Sequence, residues 1–149
     1  MTRPSDVKPR EGDLPGTRWD DFEIGAELPS FSFTISPEIV AEYSRAIEND
    51  PNGYVLDGKR VAIPSILSVY LMATLYRRYP PTQGGIMAGN KFRYYGLISA
   101  DSDTTIVGSG EILDKFEKRG RRYVRYVARF TGADGKTIAE AENISTFPN

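Results

Sequence analysis

Between Ile63 and Tyr79 the chain reads IPSILSVYLMATLYRRY, and from Ile66 to Tyr76 only Ser68 and Thr74 interrupt a run of apolar or small residues. Such a run has to be hidden from water. It is too short for a bilayer span, which needs roughly 20 apolar residues, so it predicts a core helix buried on all sides. Pro64 suits the first helical position, where its missing N–H costs nothing. Arg77 and Arg78 suit the negative end of the helix dipole, and Pro80 and Pro81 stop the helix. Ser68 and Thr74 carry short hydroxyls that can bond back to the preceding turn. A buried helix has to be wrapped, and 149 residues are enough for one domain around one core.

Composition removes several function classes. Lysine plus arginine number 19 against 20 aspartates and glutamates, a balance that argues against a nucleic-acid binder driven by bulk charge. With no cysteine, disulfides, thiolate chemistry and cysteine-ligated metals are excluded. With no histidine, the commonest general base and the commonest metal ligand are also missing. Acid–base work falls to Asp, Glu, Tyr, Lys or water. The first residues have no apolar leader, so the expected location is the cytoplasm, with no membrane partner.

Met1 to Arg18, with three prolines and two glycines among charges, predicts a flexible arm over 1–18, or an arm lying on a partner subunit; residues 19–149 form the single domain. Trp19 and Phe22 are its first anchors. Phe31, Phe33 and Ile35 alternate with Ser32 and Thr34, the period of a half-buried strand. Ser36-Pro37-Glu38 has the cap, proline and acid of a helix start, and Ile39, Val40, Tyr43, Ala46 and Ile47 share one face. That helix ends near Glu48 in the turn cluster Asn49-Asp50-Pro51-Asn52-Gly53, and Tyr54 to Ala62 is a loop. After the central helix come four strands: one within Ile86–Ile98, then Thr104–Lys118 with a bend at Gly108 or Gly110, then Tyr123–Thr131 and Thr137–Phe147. Lys118–Arg121 and Ala133–Lys136 are hairpin turns, the second with the Asp-Gly pair that type I′ turns prefer. The reading is α+β, with four antiparallel strands in meander order curved around a long helix, which is the hotdog architecture. An open sheet edge in such a plan predicts pairing with a second copy or a related subunit.

Five stretches resemble the MaoC-like hydratase/dehydratase family of hotdog proteins, over about Trp19 to Phe147. They are Trp19-Asp20-Asp21-Phe22-Glu23-Ile24-Gly25, Tyr43 to Asn52, Val61-Ala62-Ile63-Pro64-Ser65, Phe92-Arg93-Tyr94-Tyr95-Gly96-Leu97, and Ala100-Asp101. The third is nearest to the fatty-acid-synthase-like branch. The resemblance implies addition or removal of water across the double bond of an acyl thioester, on coenzyme A or an acyl carrier, with no cofactor beyond the coenzyme A of the substrate. The family works through an Asp and a His in a Gly-Asp-x-Asn-Pro-x-His loop that share a water, and through a backbone N–H at the helix start that holds the enolate oxygen. Counted from Tyr43, the Asp position holds Asn49 and the His position Tyr54. Counted from the Asp-Pro pair, they are Glu48 and Gly53. In either register the histidine is gone.

The candidate catalytic residues are therefore Asp50, Glu48, Asn49 and Tyr54, with the Ser65 N–H as oxyanion donor. Each has a plainer alternative. Asn49-Asp50-Pro51 has the composition of a helix-ending turn, Tyr54 is a poor base near neutral pH and could simply fill the pocket, and every helix start has spare N–H groups. Lys115, Lys118, Arg119, Arg121, Arg122, Arg125 and Arg129 surround one hairpin; Arg121, Arg125 and Arg129 are the candidates for coenzyme A phosphates, against the alternative of a solvated strand face. Three functions follow: an acyl-thioester hydratase or dehydratase with altered catalysis, a non-catalytic subunit shaping the acyl tunnel of a histidine-bearing partner in a heterodimer, or an acyl-CoA-binding module.

Overall fold

The computed structural model describes residues 1–9 and 16–148. One sheet of five antiparallel strands packs on one central helix, in the order β1-β5-β6-β7-β4, with β1 Glu27–Ile35, β4 Ile86–Tyr94, β5 Thr104–Lys118, β6 Arg121–Gly132 and β7 Thr137–Phe147. The α+β class is as expected. The strand order corrects the meander: β5, β6 and β7 follow one another, but β4 pairs with β7 and the free side of β5 is taken by β1. The connection from β4 to β5 therefore crosses the end of the sheet.

The central helix opens as a 3-10 turn, Pro64–Leu67, and continues as α3, Ser68–Tyr76. It packs on β1, β5 and β6. Ile66, Leu67, Tyr70, Leu71, Ala73 and Leu75 are fully buried. The helix is not enclosed on all sides, however. Ser65, Met72 and Tyr76 are half-buried and Val69 is exposed, and their spacing of four, three and four residues is one helical stripe. Thr74 is fully buried, yet its hydroxyl has no hydrogen-bond partner, contrary to the expected bond to the preceding turn.

Irregularities of register fall between Ile112 and Asp114, and in β1 between Leu28 and Phe31, which pair with Gly110 and Gly108. The glycines also make room: a Cβ at Gly108 would lie 2.7 Å from the Phe31 ring, and one at Gly110 would collide with the Val127 carbonyl and come within 3.1 Å of Thr74 on the helix. The Arg119-Gly120 hairpin has positive φ at both residues, the type I′ pattern. In the other hairpin only Gly135 has positive φ, and Gly135 N–H bonds to Gly132 O while Gly132 N–H bonds to Lys136 O. It is a turn with a glycine bulge rather than type I′.

α2, Pro37–Ala46, is capped as expected, Ser36 Oγ accepting from Ile39 N–H at 3.3 Å. Within the expected loop 54–62 a small hairpin forms, β2 Val55–Leu56 and β3 Lys59–Arg60, turning through Asp57-Gly58 with both φ positive. Phe22 is buried against Tyr79 and Phe147, and the Trp19 indole N–H donates to Tyr123 O at 2.9 Å.

Part of the arm 1–18 lies outside the described residues, at 10–15. Residues 2–7 make defined contacts. Thr2 N–H donates to Thr34 O at 2.9 Å and its hydroxyl accepts from Thr34 N–H, extending the free edge of β1. A short helix, α1 Pro4–Val7, then crosses α3, where Tyr70 donates to Thr2 O and Arg77 to Val7 O.

Candidate functional site

The loop after α2 is built by the helix's own C-terminus. Glu48 N–H bonds to Arg45 O and Asn49 N–H to Ser44 O, a Schellman ending whose left-handed residue is Glu48 at φ 55°. That position favours glycine, so Glu48 holds a disfavoured backbone; its side chain is exposed. Asn49 then bridges the loop, accepting from Asp50 N–H at 3.0 Å and donating to the Tyr54 hydroxyl at 3.0 Å. Asp50 Oδ1 accepts from Asn52 N–H at 2.8 Å, and Gly53 N–H returns to Asp50 O. Thus Asn49, Asp50 and Tyr54 stand together in one hydrogen-bonded turn. Arg60 fastens it, donating to Pro51 O and, at 2.8 Å, to Asp101. Val61 N–H donates to Tyr54 O and Ala62 N–H to Ile98 O, so the loop runs directly into the start of the central helix.

At that start Ser65 is half-buried, and its backbone N–H has no partner among the described residues. Its hydroxyl is 2.9 Å from the hydroxyl of Tyr43 on α2. Burial, with a smaller contribution from Tyr43, pushes the phenol of Tyr94, at the end of β4, up from its usual range. Sequence reasoning placed Tyr43 on the apolar face of its helix and missed its pairing with Ser65. Only the α2–α3 crossing brings it there, and no local pattern encodes that.

Along β4 the inward row continues from Tyr94 to Phe92 and Asn90, opposite Ala139, Ala141 and Asn143. The Phe92 and Tyr94 rings stack 5.5 Å apart. On the helix, the stripe Ser65, Val69, Met72, Tyr76 is only partly covered.

The arginines lie elsewhere. Arg125 and Arg129 point from β6 to the outer face, each between two carboxylates: Arg125 with Asp114 at 3.7 Å and Glu142 at 3.4 Å, Arg129 with Glu111 at 3.9 Å and Glu140 at 3.2 Å. Arg121 lines a shallow cleft of ≈ 270 Å³ with Ile86 and Thr146, at the end of β4 away from Tyr94.

By sequence, no family model and no curated protein matches this chain. Solved structures do. The unliganded R-hydratase PhaJ1 from Pseudomonas aeruginosa matches with a TM-score of 0.70 at 16% identity, over 90% of this chain and 87% of that one. The MaoC-like dehydratase from Rhodospirillum rubrum matches at 0.67 and 14%, over 87% and 96%. The HadBC (3R-hydroxyacyl-ACP dehydratase) complex from Mycobacterium tuberculosis matches at 0.68 and 18%, over 83% and 96%. The fold is the hotdog fold. In this hotdog domain Pro64–Leu67 and α3 form the central helix, and the turn Glu48–Tyr54 is the segment leading to it. The solved structures that share this fold include MaoC-like hydratases and dehydratases, at low sequence identity.

Proposed function

We propose that this hotdog protein binds acyl thioesters and works in a hydratase/dehydratase setting, with the thioester at Ser65 and the acyl chain between the open helix stripe and the inward row of β4. The observation that carries this reading is the half-covered stripe Ser65, Val69, Met72, Tyr76, which begins at an unpartnered N–H. An apolar lane with a donor at its mouth suits a thioester, whose oxygen accepts and whose chain is apolar. Asp50 is the carboxylate for proton handling: its backbone N–H donates to Asn49 Oδ1, its Oδ1 accepts from Asn52 N–H, and its Oδ2 has no partner among the described residues. Glu48 is the second choice, and Tyr54 a donor where related proteins have imidazole. A positioned general base contributes about 10²–10⁴-fold, so the chain alone should hydrate enoyl-CoA slowly. Arg121, Arg125 and Arg129 remain the proposed contacts for coenzyme A phosphates, the last two only if the ligand displaces carboxylates that now pair with them.

The second reading is a non-catalytic subunit. The chain's complete lack of histidine favours it, as does the exposure of Ile86, Met87, Tyr94, Tyr95 and Leu97 on and beside edge strand β4, which suits a second hotdog chain. One experiment separates the readings. The protein is purified alone and assayed for hydration of a panel of enoyl-CoA esters, with Asp50→Asn and Glu48→Gln made separately. A slow wild-type rate that falls at least tenfold in Asp50→Asn supports the catalytic reading; an active wild type indifferent to both changes overturns the assigned site. An inactive chain that raises the rate of a histidine-bearing relative supports the subunit reading.

A further inference from the structure

We propose that the Tyr43–Ser65 hydroxyl pair anchors the carbonyl oxygen of the bound thioester; this rests on the thioester reading above and assigns the polar contact that positions the ligand. Two elements distant in sequence meet here: α2 supplies Tyr43 and the helix start Ser65. The proton count is decisive. Two hydroxyls 2.9 Å apart share one hydrogen bond, whichever is the donor, and two protons less one leave a free O–H pointing away from the pair. A second donor is therefore always presented next to the Ser65 side chain.

The chemistry around the pair selects its ligand. Both groups are hydroxyls. No cation bonds to either among the described residues, so the site offers nothing special to a carboxylate or a phosphate. A carbonyl oxygen is an acceptor without charge, and hydroxyl donors satisfy it. The pair is also reachable: Tyr43 and Ser65 are half-buried. From Ser65 the partly covered stripe runs on along the helix through Val69 and Met72. Tyr43 and Ser65 act as positioning residues and transfer no proton.

The probe is hexanoyl-CoA labelled with ¹³C at the thioester carbonyl, read by difference infrared spectroscopy and by titration, with dodecanoyl-CoA as the longer ester. With the wild type the carbonyl band should move to lower frequency on binding, as it does for an oxygen that gains donors. Tyr43→Phe and Ser65→Ala should each return the band towards its free position and weaken binding about three- to tenfold, the range of one neutral hydrogen bond. The double variant should be clearly worse than either single one, because each single variant keeps one free O–H that has lost the partner orienting it, and only the double variant removes the donor altogether. Ser65→Ala keeps the backbone N–H, so its effect isolates the hydroxyl, and it carries the test if Tyr43→Phe does not fold. Saturable binding with an unchanged band in a folded Ser65→Ala overturns the anchoring role and leaves the thioester reading standing. No saturable binding of either ester by the wild type overturns both.

Discussion

Tyr70 and Tyr126 keep their phenols inside the fold, and their protons tie stability to alkaline pH. Tyr70 donates to Thr2 O at 2.8 Å, and burial, with Asp6 adding, pushes its pKa up to about 12. Tyr126 is fully buried and donates to the Met72 sulfur, and burial pushes it higher still. Unfolded tyrosine ionises near 10. Below that pH both states hold these protons; above it only the folded state does, so stability is lost as pH rises through 10 and towards 12. Tyr126 contributes up to about 1.4 kcal/mol per pH unit in that window. The melting temperature should therefore drop steeply above pH 10, and Tyr126→Phe should make the drop shallower while leaving the neutral-pH value little changed; parallel slopes for the two proteins would refute the assignment. The functional residues divide by the same physics. Ser65 as a helix-start donor and Asn49-Asp50 as a turn are local features that can be read from the sequence. The pairing of Tyr43 with Ser65 depends on how two helices cross, and no spacing rule states it.

Among the elements, the approach of α3 to the sheet depends on Gly110. Its missing side chain lets Thr74 of the helix and the Val127 carbonyl of β6 close on the same spot. Gly110→Ala should destabilise the protein by about 1–3 kcal/mol, the range for overpacking, measured by denaturant titration; a neutral result would mean that the helix can shift outward freely. The apolar run of the central helix and the alternation in β6, where Val124, Tyr126, Ala128 and Phe130 are all buried, were legible because each follows a simple period. The place of β4 was not. Two neighbouring strands of similar composition can pair in either order, and the choice was made by β1 claiming the free side of β5. The two β5 glycines were legible as special but not as spacers, since bending and close approach use the same residue. The outer face carries its own order. Acids on β5, arginines on β6, acids on β7 and, by register, Lys91 and Arg93 on β4 alternate in sign from strand to strand. Surface pairs of this kind are worth about 0–1 kcal/mol each, but they set strand neighbours against mispairing.

At the scale of the whole molecule, exposed apolar side chains gather on β4 and just beyond it: Ile86 and Tyr95 are 58% and 62% exposed. A dimer or larger assembly, of this chain alone or with a related one, is the expected state, and light scattering at micromolar concentration checks it. A clean, stable monomer would count against it. The two borders of the sheet also differ, which bears on the kind of assembly to expect. Thr2 occupies the backbone groups of Thr34 on the outer side of β1, and α1 follows it across the helix. One border is thus interrupted by residues 2–7, while the other, β4, is bare among the described residues. Chains with two sticky borders can add end to end without limit. A chain with one can pair with a second copy about a two-fold axis, or with one related chain, after which nothing is left to extend. The opening residues would then act as a stop against fibre growth, turning a sheet prone to polymerise into one that closes at two.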